Sequence, residues 1–342
     1  MRPTTCQLCQ CGRAMKIILI ALFVTLTLQV AVEGSIINTD LREVSPPSKV
    51  EIKRVRKTMP ILNGTQHGDG QEGTVAIAAR IVRGRKARRG DFPYLVGIVM
   101  DDVSFCGGSL ISRSHVLTAA HCAVGFNTFS LVFGAEVRTK YERGTASRTS
   151  NSKAVHKNFN MDTMRNDIAI IYLNRPVEIT EFISLVKLAT KAQTARILKQ
   201  GTSVTVAGWG KTSDKADISP VLRMTDLIIQ KNSKCINSYG AASFTNAHIC
   251  SQGTAGTATC QGDSGGPMMV TDEQQNVMVQ VGLVSYGSAR GCTSRDPEVF
   301  TRVASFDKWI AANCNNCQGQ VSNFKNSLSK HSNRRMRKFD RG

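Results

Sequence analysis

A chain of 342 residues, 41% of them hydrophobic, has enough apolar side chains for a core, which excludes a wholly polar unfolded chain; the length suits two domains or one large domain with appendages. The formal charge of +19 is uneven: +4 before Ile81 (10 basic, 6 acidic), +9 from Ile81 to Asn313 (27 and 18) and +6 in the last 29 residues (7 and 1). That balance favours polyanionic surfaces and is silent about the fold, while eleven cysteines point to an oxidising compartment.

The segment from Met15 to Val32 reads MKIILIALFVTLTLQVAV, a lysine followed by an apolar run that ends near the small residues Ala31 and Gly34. This is the pattern of a secretory signal peptide, so residues 1–34 read as leader and signal, and the protein as secreted and extracellular. Translation starting at Met15 instead of Met1 would remove an unusually long leader, and with it Cys6, Cys9 and Cys11. The competing reading is a signal-anchored membrane protein. Against it, the run is shorter than the roughly 20 residues a spanning helix needs, and Thr25, Thr27 and Gln29 dilute it.

Residues 35–80 turn polar, with Pro46 and Pro47, a basic cluster at Lys53, Arg54, Arg56 and Lys57, and a glycine-rich patch between Gly64 and Gly73. No amphipathic period persists, so this stretch reads as a flexible pro-segment. It holds the chain's one N-x-S/T sequon, at Asn63, a glycan acceptor in a secreted protein.

After Arg80 come short strand-like runs: YLVGIVM, VLTAA, SLVFGA, DIAIIYL, SVTVAGWG and VGLVSYG, separated by polar or glycine-containing turns. The cadence predicts an all-β, antiparallel sandwich or barrel. No helical period is sustained before Ala304–Ala312, ASFDKWIAA. Residues 314–342 are rich in Asn, Ser, Lys and Arg and read as a basic disordered tail.

One stretch carries chemistry: Cys260 to Pro267, CQGDSGGP. A serine hydroxyl is a poor nucleophile unless a base takes its proton, so Ser264 calls for a histidine, a group to orient it and donors for an oxyanion. Of six histidines, His67 and His331 fall in polar flanking segments, and His115, His156 and His248 have no distinctive context. His121 closes LTAAHC beside Cys122; alone it reads as a buried structural histidine, just as Asp167 in NDIAII reads as a cap or turn residue. Together, HC, DIAII and GDSGGP follow in order, 46 and 97 residues apart.

With RIVRG, FCGGSLIS, VLTAAHC, DIAII, AGWG, CQGDSGGP, the SYG before Gly291-Cys292 and the closing helix with Trp309-Ile310, residues 81–313 resemble a chymotrypsin-family serine endopeptidase. The resemblance covers roughly two-thirds of the chain and implies two antiparallel β-barrels with a C-terminal helix and a catalytic cleft between the barrels. It implies His121 as general base, Asp167 as its orienting partner, Ser264 as nucleophile and the backbone N–H groups of Gly262 and Ser264 as oxyanion hole. Ser285 would lie near Asp167, and the backbone from Ser285 through Tyr286 to Gly287 would pair with extended substrate. Arg80-Ile81 would be the zymogen activation bond, its cleavage freeing an Ile81 ammonium to pair with buried Asp263. Arg83 departs from the family's usual glycine within that segment. The implied disulfides are Cys106 with Cys122, Cys235 with Cys250 and Cys260 with Cys292. Cys314 and Cys317 have no family counterpart and read as a local disulfide or as unpaired.

Specificity is where the sequence departs from the trypsin-like pattern. By the same resemblance, Ala258 would stand at the base of the primary pocket, where an aspartate would select Lys or Arg, and Gly287 would leave the pocket mouth open. Glu298 follows Pro297 where many members have glycine; it either enters the pocket from the far wall or points to solvent. The first alternative resembles the alanine-plus-glutamate arrangement of cathepsin G and implies an aromatic or apolar P1 preference with some lysine. No cofactor or metal is expected: Pro297 argues against a sodium site, and the loop after Gly134 lacks well-placed acidic ligands for calcium. Expected partners are protein or peptide substrates, an activating trypsin-like protease and serpin-type inhibitors, with polyanions at the basic tail, and the expected state is a monomer. Two other functions remain open: a catalytically inactive protease homologue, and a polyanion-binding secreted protein.

Overall fold

A computed structural model describes Val82, residues 84–314 and Cys317. The signal and pro-segment, Asn63, Arg80, Ile81, Arg83 and the tail beyond Cys317 lie outside the described residues.

Fourteen strands form two seven-stranded antiparallel sheets. The first takes β2 (Leu95–Met100), β3 (Ser104–Ser112), β4 (His115–Thr118), β5 (Phe129–Phe133), β6 (Ala146–Ser150), β7 (Ser152–Val155) and β8 (Ala169–Tyr172). Its order is β6-β5-β2-β3-β4-β8-β7. Its two outer strands, β6 and β7, are separated in sequence by Asn151 alone, so the sheet must curl until its edges meet. The second sheet takes β1 (Arg85–Lys86), β9 (Ser203–Gly208), β10 (Arg223–Ile229), β11 (His248–Gly253), β12 (Pro267–Asp272), β13 (Val277–Tyr286) and β14 (Glu298–Arg302). It runs β1-β10-β11-β14-β13-β12-β9, and β10 also pairs with β9, which closes a barrel without exposed edges along those strands.

Burial explains the patterns. Strand β5 alternates buried and half-buried residues, as a strand with one face inward must. Strand β2 is buried along nearly its whole length, because one face fills the first barrel and the other meets the second. Val96, Ile98, Leu131 and Phe133 pack inside the first barrel, and Val206, Leu227, Val281 and Phe300 inside the second. A third cluster, with Leu95, Ile168, Trp209, Leu283 and Ile310, joins residues of both sheets and the closing helix. Each such side chain contributes roughly 1.5–3 kcal/mol on burial.

Three short helices complete the fold: α1 (Lys191–Ile197), α2 (Asn232–Tyr239) and α3 (Asp307–Asn313). The first two escape a periodicity reading, since seven or eight residues make too few turns to display one. Helix α1 is held by a capping box instead: Thr190 Oγ1 accepts from Gln193 N–H at 3.2 Å and Gln193 Oε1 accepts from Thr190 N–H at 3.0 Å. The expected closing helix splits into a 3-10 turn (Val303–Phe306) and α3. Packing continues past Asn313, because Cys314 is 3% exposed within the joint core and bonds to Cys317. No helix among the described residues is long and apolar enough to cross a membrane.

Candidate active site

The loops that carry the sequence's chemistry meet where the two sheets face each other. His121 sits on a 3-10 turn (Ala120–Cys122) directly after β4, and the Cys106–Cys122 disulfide ties that turn to β3. Closing a loop of this size contributes about 3 kcal/mol in the chain-entropy view. Asp167 lies just before β8, whose pairing with β4 sets the two residues side by side.

Asp167 has no solvent exposure and receives three hydrogen bonds. His121 N–H donates to Oδ1 at 2.9 Å, His121 Nδ1 meets Oδ2 at 2.8 Å, and Ser285 Oγ–H donates to Oδ2 at 2.6 Å. Thr301 Oγ1 holds the Asp167 backbone by donating to its carbonyl at 2.8 Å. Burial alone would raise the Asp167 carboxyl; the facing imidazole and the hydrogen bonds from His121 and Ser285 outweigh it and hold the group below the ordinary carboxylate range. The same contact works the other way on His121: burial disfavours the imidazolium, but the Asp167 charge raises its pKa. The imidazolium therefore persists to a pH above the ordinary histidine value.

Ser264 comes from the second sheet, on the turn before β12. Strand β3 of the first sheet reaches across to it, with Gly107 N–H donating to Ser264 O at 2.8 Å. Gly265, at φ +75°, permits this contact, because a Cβ there would run into Thr118 Oγ1 and Gly107 O. Gly262 has φ +98°, and a Cβ on it would strike Ile218 and Gly210. Neither Gly262 N–H nor Ser264 N–H donates a backbone hydrogen bond among the described residues, so both can serve an incoming oxygen. Ser264 Oγ makes no hydrogen bond to His121 among the described residues, as is common before substrate tightens such contacts.

Asp263 is buried beneath this turn. Its Oδ1 accepts from Gly210 N–H at 2.8 Å and its Oδ2 from Cys260 N–H at 3.0 Å. Burial pushes its carboxyl up to about 6, against those two bonds.

Beside Ser264 opens a cavity of about 260 Å³, lined among others by Ala258, Ser285, Tyr286, Gly287 and Glu298. Ala258 is 8% exposed and its N–H donates to Val82 O at 3.3 Å. Gly287 adds no bulk, and a Cβ there would meet nothing within 4 Å. Glu298 lines the cavity and is turned inward: it is 6% exposed, and its Oε2 accepts from Thr259 N–H at 3.0 Å and from Thr259 Oγ–H. The Cys260–Cys292 disulfide frames the cavity's rim, and Cys235–Cys250 ties α2 to β11 behind it.

Sequence reading passed over Thr259, whose partner is 39 residues away, and Asp214, which accepts from Cys292 N–H at 2.6 Å and from Thr293 Oγ–H. Neither sits in a motif, so only the folded chain reveals them. Three groups of His, Cys or Asp ligands cluster among the described residues, but each includes two cysteines already joined in a disulfide.

The family model described as Trypsin matches residues 81–310. Brachyurin of Leptuca pugilator is 39% identical over 231 residues, covering 67% of this chain and 96% of its own. Chymotrypsin of Phaedon cochleariae is 34% identical over 234 residues, with 67% and 80% covered. A solved structure of HL collagenase superposes with a TM-score of 0.60 at 32% identity, over 67% of this chain and 96% of that one.

Proposed function

The chain belongs to the trypsin family of serine proteases, and from that premise we propose that it is a secreted endopeptidase, made as a zymogen, working through Ser264, His121 and Asp167. The family assignment carries the reaction class, hydrolysis of peptide bonds in protein or peptide substrates. The observation that carries the assignment of roles is the fully buried Asp167, bonded at once to the His121 backbone, the His121 ring and Ser285. Such an anchor fixes the ring so that Nδ1 keeps its proton and Nε2 is left to act as the base.

His121 takes the Ser264 proton as Oγ attacks the scissile carbonyl, then delivers it to the leaving amine; Asp167 stabilises the imidazolium in between. The tetrahedral oxygen is received by Gly262 N–H and Ser264 N–H, and one such donor accounts for about 3 kcal/mol of barrier. Water then releases the acyl group from Ser264 by the same route.

Activation follows cleavage after Arg80. The freed Ile81 ammonium pairs with Asp263, whose buried carboxyl, pushed up to about 6, gains a cation that favours its ionised form. Because Asp263 lies between Gly262 and Ser264, that pairing orders both oxyanion donors. The activator is a trypsin-like protease and the regulators are serpin-type inhibitors. The basic tail adds affinity for polyanions without replacing catalysis.

The primary pocket accepts aromatic or apolar P1 residues, with some lysine. Ala258 and Gly287 leave apolar depth and an open mouth, while Glu298 supplies one carboxylate on the wall instead of the base.

Ser264→Ala tests the roles: hydrolysis should fall by about a million-fold, as it does when a triad nucleophile is removed, with the fold intact. Near-normal turnover by purified Ser264→Ala protein would overturn them. Labelling of the activated wild type by an active-site phosphonate, together with a mature N-terminus reading Ile-Val-Arg-Gly, checks nucleophile and activation bond separately.

A further inference from the structure

The turn that aims Asp167 needs outside support. Met164 has φ +53° and Asn166 φ +57°, left-handed conformations that are costly for a residue with a Cβ, and neither position is a glycine. The stretch just upstream supplies two ties: Asn166 Nδ2 donates to Asn158 O at 2.8 Å, and Asn160 N–H donates to Arg165 O at 3.1 Å. The second sheet and its loops supply three more. Thr301 Oγ–H holds the Asp167 carbonyl at 2.8 Å, Arg165 Nη2 donates to Ala241 O at 3.2 Å, and His248 Nε2 lies 3.4 Å from Met164 O. Thr301 and His248 face each other in the β11–β14 register, so one strand pair grips the Asp167 segment at two points.

His248 begins β11 and is 1% exposed. Its two ring nitrogens meet opposite groups. Thr245 N–H donates to Nδ1 at 3.0 Å, so Nδ1 carries no proton; Met164 O can only accept, so Nε2 carries the proton and donates it. The surroundings thus fix one neutral tautomer, and a second proton would set Nδ1–H against Thr245 N–H. Burial lowers the His248 pKa and the Arg165 and Arg302 cations add to the fall, opposed by the Met164 bond and the Asp167 charge. Arg302 pins the same segment through its backbone N–H to Ala247 O at 2.8 Å, Nε to Asn246 O at 3.1 Å and Nη2 to His248 O at 3.0 Å. The rings of Phe244 and Tyr286 flank the imidazole, with centroids 5.6 and 6.1 Å away.

We propose that His248 is a positioning residue of the triad: a neutral strut from the second sheet whose Nε2–H holds the Met164 carbonyl and so, through the Met164–Asn166 turn, keeps the Asp167 carboxylate on His121. This rests on the triad reading above. Without that bond the turn relaxes towards ordinary backbone angles, and Asp167, three residues on from Met164, turns away from the His121 ring. Burial works to lower the His121 pKa and the Asp167 charge raises it, so a displaced Asp167 lets it fall. His248 itself carries no charge in this role and passes no proton.

The test compares the activated full chain with its His248→Asn and His248→Gln variants, in kcat, KM and the pH profile of kcat/KM on a P1 Phe peptide amide. Asparagine places an acceptor where Nδ1 stands and nothing where Nε2 stands; glutamine returns an amide N–H to the Nε2 position. His248→Asn should lose roughly three- to ten-fold in kcat, the span of one hydrogen bond, with KM unchanged. The acid limb of its kcat/KM profile, which reports His121 in the free enzyme, should shift to lower pH. His248→Gln should recover most of the rate and the wild-type acid limb. Equal kcat and equal acid limbs in wild type and His248→Asn overturn the strut. So does a loss shared equally by both variants with the acid limb unmoved, the mark of packing alone. Nitrogen-15 NMR of the wild type reads the ring even if neither variant folds: a protonated Nε2 and a bare Nδ1 are expected at neutral pH, and the other tautomer or an imidazolium overturns the proposal. Wild type that neither cleaves the peptide nor takes an active-site phosphonate overturns the triad reading and the strut with it.

Discussion

Asp167 and Glu298 are both buried carboxylates in one cleft, separated by Ser285, which bonds the first and lines the cavity of the second. Asp167 has both oxygens engaged by donors and an imidazole facing it, so its charge is stabilised and its pKa lies low. Glu298 has donors on one oxygen, none on the other and an acid nearby, so its pKa rises to about 7. Equal burial thus gives opposite results, because the hydrogen-bond partners decide what desolvation alone would not. One carboxylate keeps its charge because donors reach both oxygens; the other, with one oxygen unmet, holds its proton to higher pH.

The contrast can be broken most severely at Asp167. Asp167→Asn would offer His121 Nδ1 an amide donor, invert the ring's tautomer and leave Nε2 protonated. A loss of about ten-thousand-fold in kcat is expected, the size found for this substitution in a triad of the same family, with the Lys/Phe ratio unchanged. Steady-state kinetics on P1 Phe and P1 Lys peptides measure both; a changed ratio would mean the two carboxylates are not independent.

Ser285→Ala removes one of the three donors to Asp167 and none from Glu298. A hydrogen bond to a charged group is worth about 1.5–3 kcal/mol, so kcat/KM on a P1 Phe peptide should drop by about ten-fold or more. An unaltered kcat/KM would show that the two bonds from His121 suffice.

Stability should report the contrast with opposite sign. Glu298 binds its proton more tightly folded than at the ordinary glutamate value of 4.5, so folding binds protons between about pH 4.5 and pH 7. Its contribution is therefore most favourable below that window and is lost as pH rises through it. Relative to wild type, Glu298→Gln should gain a few degrees in Tm at about pH 8 and nothing at about pH 4. Thermal unfolding of the two proteins at both pH values checks this, and an equal offset at both would sink the linkage.

The smallest effect is expected from Thr259→Val, which removes the Oγ–H donor and keeps the backbone one. With one fewer bond favouring the anion, the Glu298 transition should move to higher pH, by about one unit or less. The pH dependence of Tm, compared between the two proteins, reads it; a move to lower pH would mean that Thr259 Oγ–H does not stabilise the ionised form.

Much of the molecule was readable along the chain. The strand cadence from Tyr94 to Gly287 marked an all-β fold because each run alternates with turn residues: β2, β8 and β9 lie within three of the six runs, and β4, β5 and β13 overlap the other three. The cysteine pairs 106–122, 235–250 and 260–292 followed from the resemblance and form as expected. His121, Asp167 and Ser264 could be singled out as a set because three motifs stand in one order. Strands such as β6 and β7, ASRTS and SKAV, could not be read, since polar residues at a barrel's outer face leave no hydrophobic alternation. Helix α1 depends on Thr190 and Gln193 meeting across one turn, which composition does not announce.

What local sequence could not decide was where Glu298 points. Pro297-Glu298 left both wall and solvent open, because a side chain's direction depends on which strand pairs beside it and on which donor waits there. The β11–β14 register and Thr259, 39 residues upstream, turn the carboxyl inward and bind one oxygen. They leave the other buried without a hydrogen-bond partner. Charge state and pocket chemistry at this position are therefore properties of the packed barrel: the groups that set them are distant along the chain and adjacent only after folding.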